Sequence, residues 1–200
     1  MRKTINITII AIIILATNIE IYSQEHQKHQ SVLSAPENWQ SEILTFPLGF
    51  AQDIDLVGFE DLRFAPGWSD STSQEFWTYT FVWYVEKDSA MTENILTKYF
   101  NIYYDGLMGV DNNNKIDTTN ANQLDKTICR FVKTDEGFTG EMRVYDRFFT
   151  KDYMTLNIKV KESFCSKTNK QIVFCDISPK EFSHAVWKIF DNVKLIVSCD

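Results

Sequence analysis

Few of the features that announce chemistry are present in this chain. Among 200 residues there are four Cys and three His, with no C-x-x-C and no paired His at zinc-ligand spacing. No serine lies in a G-x-S-x-G context, which excludes a nucleophile elbow. Acidic residues outnumber basic ones, 27 to 20, for a net charge of −7. That balance argues against nucleic acid or an anionic membrane as partner. There is no internal repeat. Beyond residue 24 no apolar run approaches the ~20 residues that a membrane-spanning helix needs. No Cys lies in or just after the N-terminal segment, so a lipid anchor on a new terminal Cys is excluded. No residue pattern implies a cofactor or a resident metal.

What is there begins at the N-terminus. Arg2 and Lys3 precede an unbroken apolar run over residues 9–16, and a polar stretch over 17–24 contains Ser23 as a small residue near a cleavage point. Charged start, apolar middle and polar end is the pattern of a secretory signal peptide, an uncleaved anchor being the alternative. The reading is therefore signal peptide 1–24, flexible polar leader 25–38 and one domain over 39–200, placed in the periplasm or secreted. Export makes disulfides possible among Cys129, Cys165, Cys175 and Cys199. Cys165 and Cys175 flank a turn-like segment, 166–170, so a hairpin can bring them together and leave Cys129 for Cys199. Three pairings stay open, as does burial of some as small hydrophobes.

Periodicity gives the elements. Residues 76–86 alternate, with Trp77, Tyr79, Phe81, Trp83 and Val85 on one face, which predicts a strand. Ile95, Leu96, Tyr99, Phe100, Tyr103 and Leu107 recur at helical spacing after a cap at Ser89 or Thr92, and Gly106 and Gly109 mark the helix end. The stretch 111–122 is an exposed loop. Strands are expected over 127–133, 138–149, 153–164 and 171–177, joined by short turns as in an antiparallel meander. Ser178-Pro179-Lys180-Glu181 is a capping box that predicts a second helix carrying Phe182, Val186, Ile189, Phe190 and Val193. A terminal strand over 194–199 and weaker strands over 42–46 and 59–64 complete the order. The fold class is α+β, a mostly antiparallel sheet with two main helices packed on it, with an αβα sandwich as one arrangement.

Two resemblances follow from particular residues. Phe46-Pro47-Leu48-Gly49-Phe50-Ala51, then Glu60-Asp61-Leu62-Arg63-Phe64-Ala65-Pro66-Gly67-Trp68, the aromatic strand 76–84 and the capped terminal helix resemble a family of uncharacterised exported bacterial proteins. The resemblance covers most of the chain after the signal peptide and implies export without any particular activity. The element order and the ending 187–199 also resemble the PsbP/Mog1-like fold, an αβα sandwich. Fold analogy carries no function.

Four sets of residues are candidates for function. His26, third after a cleavage behind Ser23, offers a square-planar Cu(II) or Ni(II) site with the free terminus; with His29 it is otherwise part of a polar leader. Residues 111–117 look like a calcium loop, but Lys115 occupies a ligand position and Ile116 replaces the required Gly, which favours a solvated loop. Glu60, Asp61 and His184 would be the acid–base groups of a small hydrolase or isomerase, against an Arg63–carboxylate pair that fixes the turn at Pro66-Gly67. Last, the chain holds 15 Phe, 8 Tyr and 5 Trp. Trp68, Trp77, Trp83, Tyr84, Tyr103 and Tyr104, with Arg63, are the candidate lining of an apolar pocket or a protein-binding patch, since Tyr and Trp join an apolar body to one polar handle. Periodic aromatics also pack cores. The leading expectation is a non-enzymatic exported domain that binds an apolar small molecule or an envelope protein; a structural partner in an envelope complex is the third reading.

Overall fold

The computed structural model describes residues 29–86, 90–110 and 124–199. The signal-peptide segment 1–24, His26 and the calcium-like stretch 111–117 lie outside the described residues. The elements are β1 (Leu33–Ser34), β2 (Gln40–Thr45), β3 (Val57–Phe64), β4 (Tyr79–Glu86), α1 (Glu93–Met108), β5 (Ile128–Thr134), β6 (Gly137–Tyr145), β7 (Tyr153–Cys165), β8 (Lys170–Ser178), a 3₁₀ segment (Ala185–Asn192) and β9 (Lys194–Leu195). Strands β2 to β8 form one antiparallel sheet in the order β2-β3-β4-β8-β7-β6-β5, and β1 pairs with β9 outside it. The α+β class and the meander β5 to β8 follow from the alternation and the short turns. Among the described residues no helix is long and apolar enough to cross a membrane.

Alternation divides the sheet into two faces. Phe81, Trp83 and Val85 of β4 join Val173, Cys175 and Ile177 of β8 and Leu156, Ile158 and Val160 of β7 in the larger core. Leu96, Phe100 and Tyr104 of α1 close over it, all fully buried. Thr92 caps α1, its side chain accepting from the Ile95 N–H, and Gly109 ends it in the left-handed region at φ 67°. Gly106 is inside the helix rather than at its end. A Cβ there would stand 1.7 Å from the Phe50 carbonyl oxygen, so only glycine lets the 48–52 segment lie against α1.

The opposite face is covered differently from the expectation. Phe59, Val82, Tyr84 and Ile172 are buried there beneath Val32, Leu33 and Val193. The part of the polar leader around β1 is thus built into the domain, because Leu33 pairs with Leu195 and both backbone amides of residues 32–33 bond the Asp61 carboxylate at 2.8 and 3.1 Å. Ser178 does not start an α-helix. The carbonyls of Lys180 and Glu181 accept from the Trp187 indole at 3.0 and 2.9 Å, and Lys180 also accepts from Asn157. With those carbonyls engaged, the chain turns through Glu181–His184 and forms only a 3₁₀ segment from Ala185. The two helices expected on the sheet are therefore α1 and this shorter 3₁₀ helix, which starts at Ala185 rather than at the capping box. The terminal strand is only two residues long, as is its partner β1.

The cysteines also depart from the hairpin expectation. Cys165 is bonded to Cys199, while Cys129 and Cys175 are free and buried. In the β7–β8 register Cys165 lies opposite Lys170 and Cys175 opposite Val160. Cys175 faces the α1 core and Cys165 the terminal ribbon, so the two thiols are on opposite faces. The bond closes a loop with a sequence separation of 34, a span for which loop-closure entropy contributes about 2–4 kcal/mol. Non-reducing peptide mapping is expected to return a 165–199 cross-link, with Cys129 and Cys175 alkylated only after unfolding. Cys199→Ser should lower unfolding stability by about 2–4 kcal/mol; a 165–175 cross-link would contradict the arrangement.

Candidate functional site

Between β2, β3, the 65–78 loop and α1 the packing leaves a cavity of about 400 Å³. Its floor is Leu62, Trp77, Tyr79 and Tyr103, all buried. Its rim is half-buried Leu44, Phe64, Trp68 and Leu107, with Phe148 46 % exposed and the exposed Glu42 at the mouth. The volume lies within the range of small-molecule sites and the lining is of the usual kind, aromatic with few polar atoms.

The loop that supplies two of these residues is held by its own polar groups. Gly67 N–H donates to the Glu75 carboxylate at 2.9 Å, and Trp77 N–H to the Trp68 carbonyl at 2.9 Å. Alternation from residue 76 predicted a strand, but pairing with β3 begins at Tyr79. Trp77 takes φ +51°, a conformation that costs a bulky residue on the order of 1–3 kcal/mol. It is 2 % exposed, and that burial offsets the strain. Trp68 and Trp77 each meet the Phe149 ring edge to face, at 5.2 and 6.1 Å between centroids.

Behind the floor lies a buried polar cluster. Glu60 is fully buried on β3, opposite Trp83 on β4. Its Oε1 accepts from the Trp83 indole at 3.0 Å, and its Oε2 is 3.1 Å from the Tyr103 hydroxyl. The hydroxyls of Tyr79 and Tyr104 bond each other beside it. Burial raises the Glu60 pKa to about 8; the bonds from Trp83 and Tyr103 pull the other way, and the Glu42 charge adds to the rise. Tyr103 and Tyr104 are pushed well above the ordinary phenol value by desolvation.

The sequence candidates separate. Trp68 and Tyr103 line the cavity. Trp83 and Tyr104 stand behind it in the core, both fully buried. Tyr84 and Arg63 are on the other face: Tyr84 donates to Thr168 at 2.6 Å, and Arg63 pairs with Asp61 and bonds the Leu33 carbonyl at 2.9 Å. Glu60 and Asp61, being consecutive in a strand, face opposite sides of the sheet. His184 is elsewhere, its Nδ1 accepting from Val186 N–H at 3.1 Å at the start of the 3₁₀ segment. An acid–base set of Glu60, Asp61 and His184 is therefore not assembled. His29 stacks on Phe59 at 4.4 Å. Trp77, also a sequence candidate, lines the cavity. Sequence reasoning missed Tyr79 and Phe148 as lining; the available signal was the Pro66-Gly67 turn, which folds residues 65–78 back so that aromatics distant in the chain meet.

The chain matches no protein-family model, no curated protein and no solved structure. The cavity is read on its own chemistry.

Glu60 makes stability depend on pH in a defined direction. The folded state holds this proton up to about pH 8, while the ordinary value is 4.5. Between these values the fold binds more protons than the unfolded chain, so this contribution is full below 4.5 and is lost as pH rises through 8. Urea unfolding of wild type and Glu60→Gln across pH 5 to 8 is expected to give curves that diverge, wild type losing ground by up to about 1.4 kcal/mol per pH unit. Parallel curves would show that Glu60 is ionised in the fold.

Proposed function

We propose that this is an exported, non-enzymatic binding domain that holds an apolar small molecule in the aromatic cavity. The observation that carries the reading is the cavity itself, which keeps about 400 Å³ of space where β2, β3 and α1 would otherwise close. Its lining is aromatic with few polar atoms and it opens at a mouth beside Glu42 and Phe148, the form of a small-molecule site. The strained Trp77 at its floor is consistent with a shape maintained for an occupant. The Cys165–Cys199 bond is compatible with an oxidising compartment, in line with the signal-peptide pattern and with the resemblance to exported proteins.

A second reading has one observation in its favour. Ile128 and Val132 on edge strand β5 are 63 % and 59 % exposed on the face away from α1, near Phe182 at 38 %. A protein of the envelope could dock on this open end of the sheet.

Titration with an uncharged naphthylamine fluorophore separates the two. The cavity reading predicts saturable binding of one probe per chain. Leu107→Trp, which fills the rim from α1, should weaken it about tenfold or more while circular dichroism is unchanged. Val132→Asp should leave it intact. Loss of binding in Val132→Asp with retention in Leu107→Trp would move the site to the sheet's open end.

A further inference from the structure

We propose that the occupant of the cavity is an organic cation, an apolar body with one ammonium head that lies at the mouth beside Glu42. The proposal rests on the cavity reading above and adds the chemical class of the ligand. It comes from asking which polar groups the lining leaves free. The Tyr103 hydroxyl donates to Glu60 at 3.1 Å, and the Tyr79 hydroxyl is bonded to that of Tyr104. The indole Nε1 atoms of Trp68 and Trp77 are buried in the packing, so both residues offer the cavity ring carbon. No lining side chain is left with an open hydrogen-bond donor. A ligand held inside by its own acceptor would therefore give up its bonds to water and gain none.

One lining side chain is charged, and it is an acid. The register of β2 sets Glu42 opposite Leu62, which belongs to the core beneath α1, so Glu42 is on that side of the sheet. Glu42 is exposed and has no ion-pair partner among the described residues. No Lys or Arg lines the cavity. Arg63 on β3 is paired with Asp61 on the other face, and Arg147, next to Phe148, lies over Gly109 at the end of α1. The 65–78 loop adds Asp70 and Glu75 and no base. A cation whose apolar part fills the aromatic space meets the Glu42 carboxylate at the mouth, where neighbouring rings also favour positive charge. The sign does not depend on Glu60, which brings either no charge or a second negative one. An anion of the same shape is repelled.

Adamantanamine, adamantanol and adamantane carboxylate test this at neutral pH, being rigid cages of nearly one shape that are cationic, neutral and anionic. Each is titrated against wild type loaded with the uncharged naphthylamine fluorophore, and its affinity is read from displacement. Wild type is expected to bind the amine roughly threefold to tenfold more tightly than the alcohol, the combined value of one ion pair at an exposed carboxylate and a cation beside aromatic rings. The carboxylate should bind more weakly than the alcohol. Molar salt should shrink the advantage of the amine, because the Glu42 charge is exposed and screened. Glu42→Lys, a change at an exposed position, should reverse the order so that the carboxylate binds more tightly than the amine, with alcohol binding and circular dichroism unchanged. An amine no tighter than the alcohol in wild type, or one whose advantage survives in Glu42→Lys, would overturn the proposal. It would leave the cavity reading standing and Glu42 as a charge that blunts edge strand β2. Wild type that binds the fluorophore but releases it to none of the three cages would likewise overturn the ligand class alone. Failure to bind the fluorophore at all would overturn both.

Discussion

The register of β3 against β4 is the constraint on which the rest of this structure depends. It sets Glu60 opposite Trp83 and Leu62 opposite Phe81 on the helix side, with Asp61 opposite Val82 on the other. A slip of one residue would exchange the faces of the whole strand. Glu60 would lose Trp83 and Tyr103, and Asp61, carried along with its strand neighbour Arg63, would lose the backbone amides of Val32 and Leu33. Two adjacent carboxyls thus receive opposite treatments. One is surrounded by hydrogen-bond donors without a cation; the other is paired and built into a structural junction. The first belongs to the cavity and the second to the closure of the domain.

The two faces are closed by different means, and this decides where space is left. The centre of the larger core is covered by a full α-helix whose aromatic stripe meets an aromatic sheet, Phe100 standing 5.9 Å from Phe81 and 5.6 Å from Trp83 between ring centroids. Toward β2 the cover passes to the 65–78 loop, whose course is set by Pro66, Gly67 and the left-handed Trp77 rather than by a regular element. Regular elements interdigitate; a loop over a sheet edge does so less completely. The cavity is at that transition. The opposite face is closed by short pieces, the β1–β9 ribbon and the 3₁₀ segment, tied by the Cys165–Cys199 bond.

Much of the sheet was legible because its strands alternate cleanly and its turns are short, as from β5 to β8. The Thr92 cap and the spacing of Leu96, Phe100 and Tyr103 likewise made α1 visible. The second helix was legible in its apolar stripe, but its start and its 3₁₀ form were not, because a capping box describes only local donors. It cannot see that Trp187 and Asn157 occupy the carbonyls of Lys180 and Glu181. The cysteine pairing stayed open in the sequence for a related reason, since turn proximity ignores which face each thiol occupies. Of the site, the aromatic excess pointed to Trp68, Trp77 and Tyr103, and Glu60 was read as one of a carboxylate pair with Asp61. Alternation alone could not tell which aromatics line space and which fill it. That distinction lies in loop geometry, and Trp77 shows it: its period-two position predicted a strand face, while its backbone belongs to a turn.

The central claim is that Glu60 is held as a neutral acid beneath an aromatic cavity. Isotope-edited infrared spectroscopy of the carboxyl stretch, comparing wild type with Glu60→Gln at neutral pH, tests it most directly. The account predicts a protonated-carboxyl band in wild type that is absent from the variant and fades as pH passes about 8. A wild-type spectrum at neutral pH with only carboxylate bands, indistinguishable from the variant in the protonated region, would contradict it.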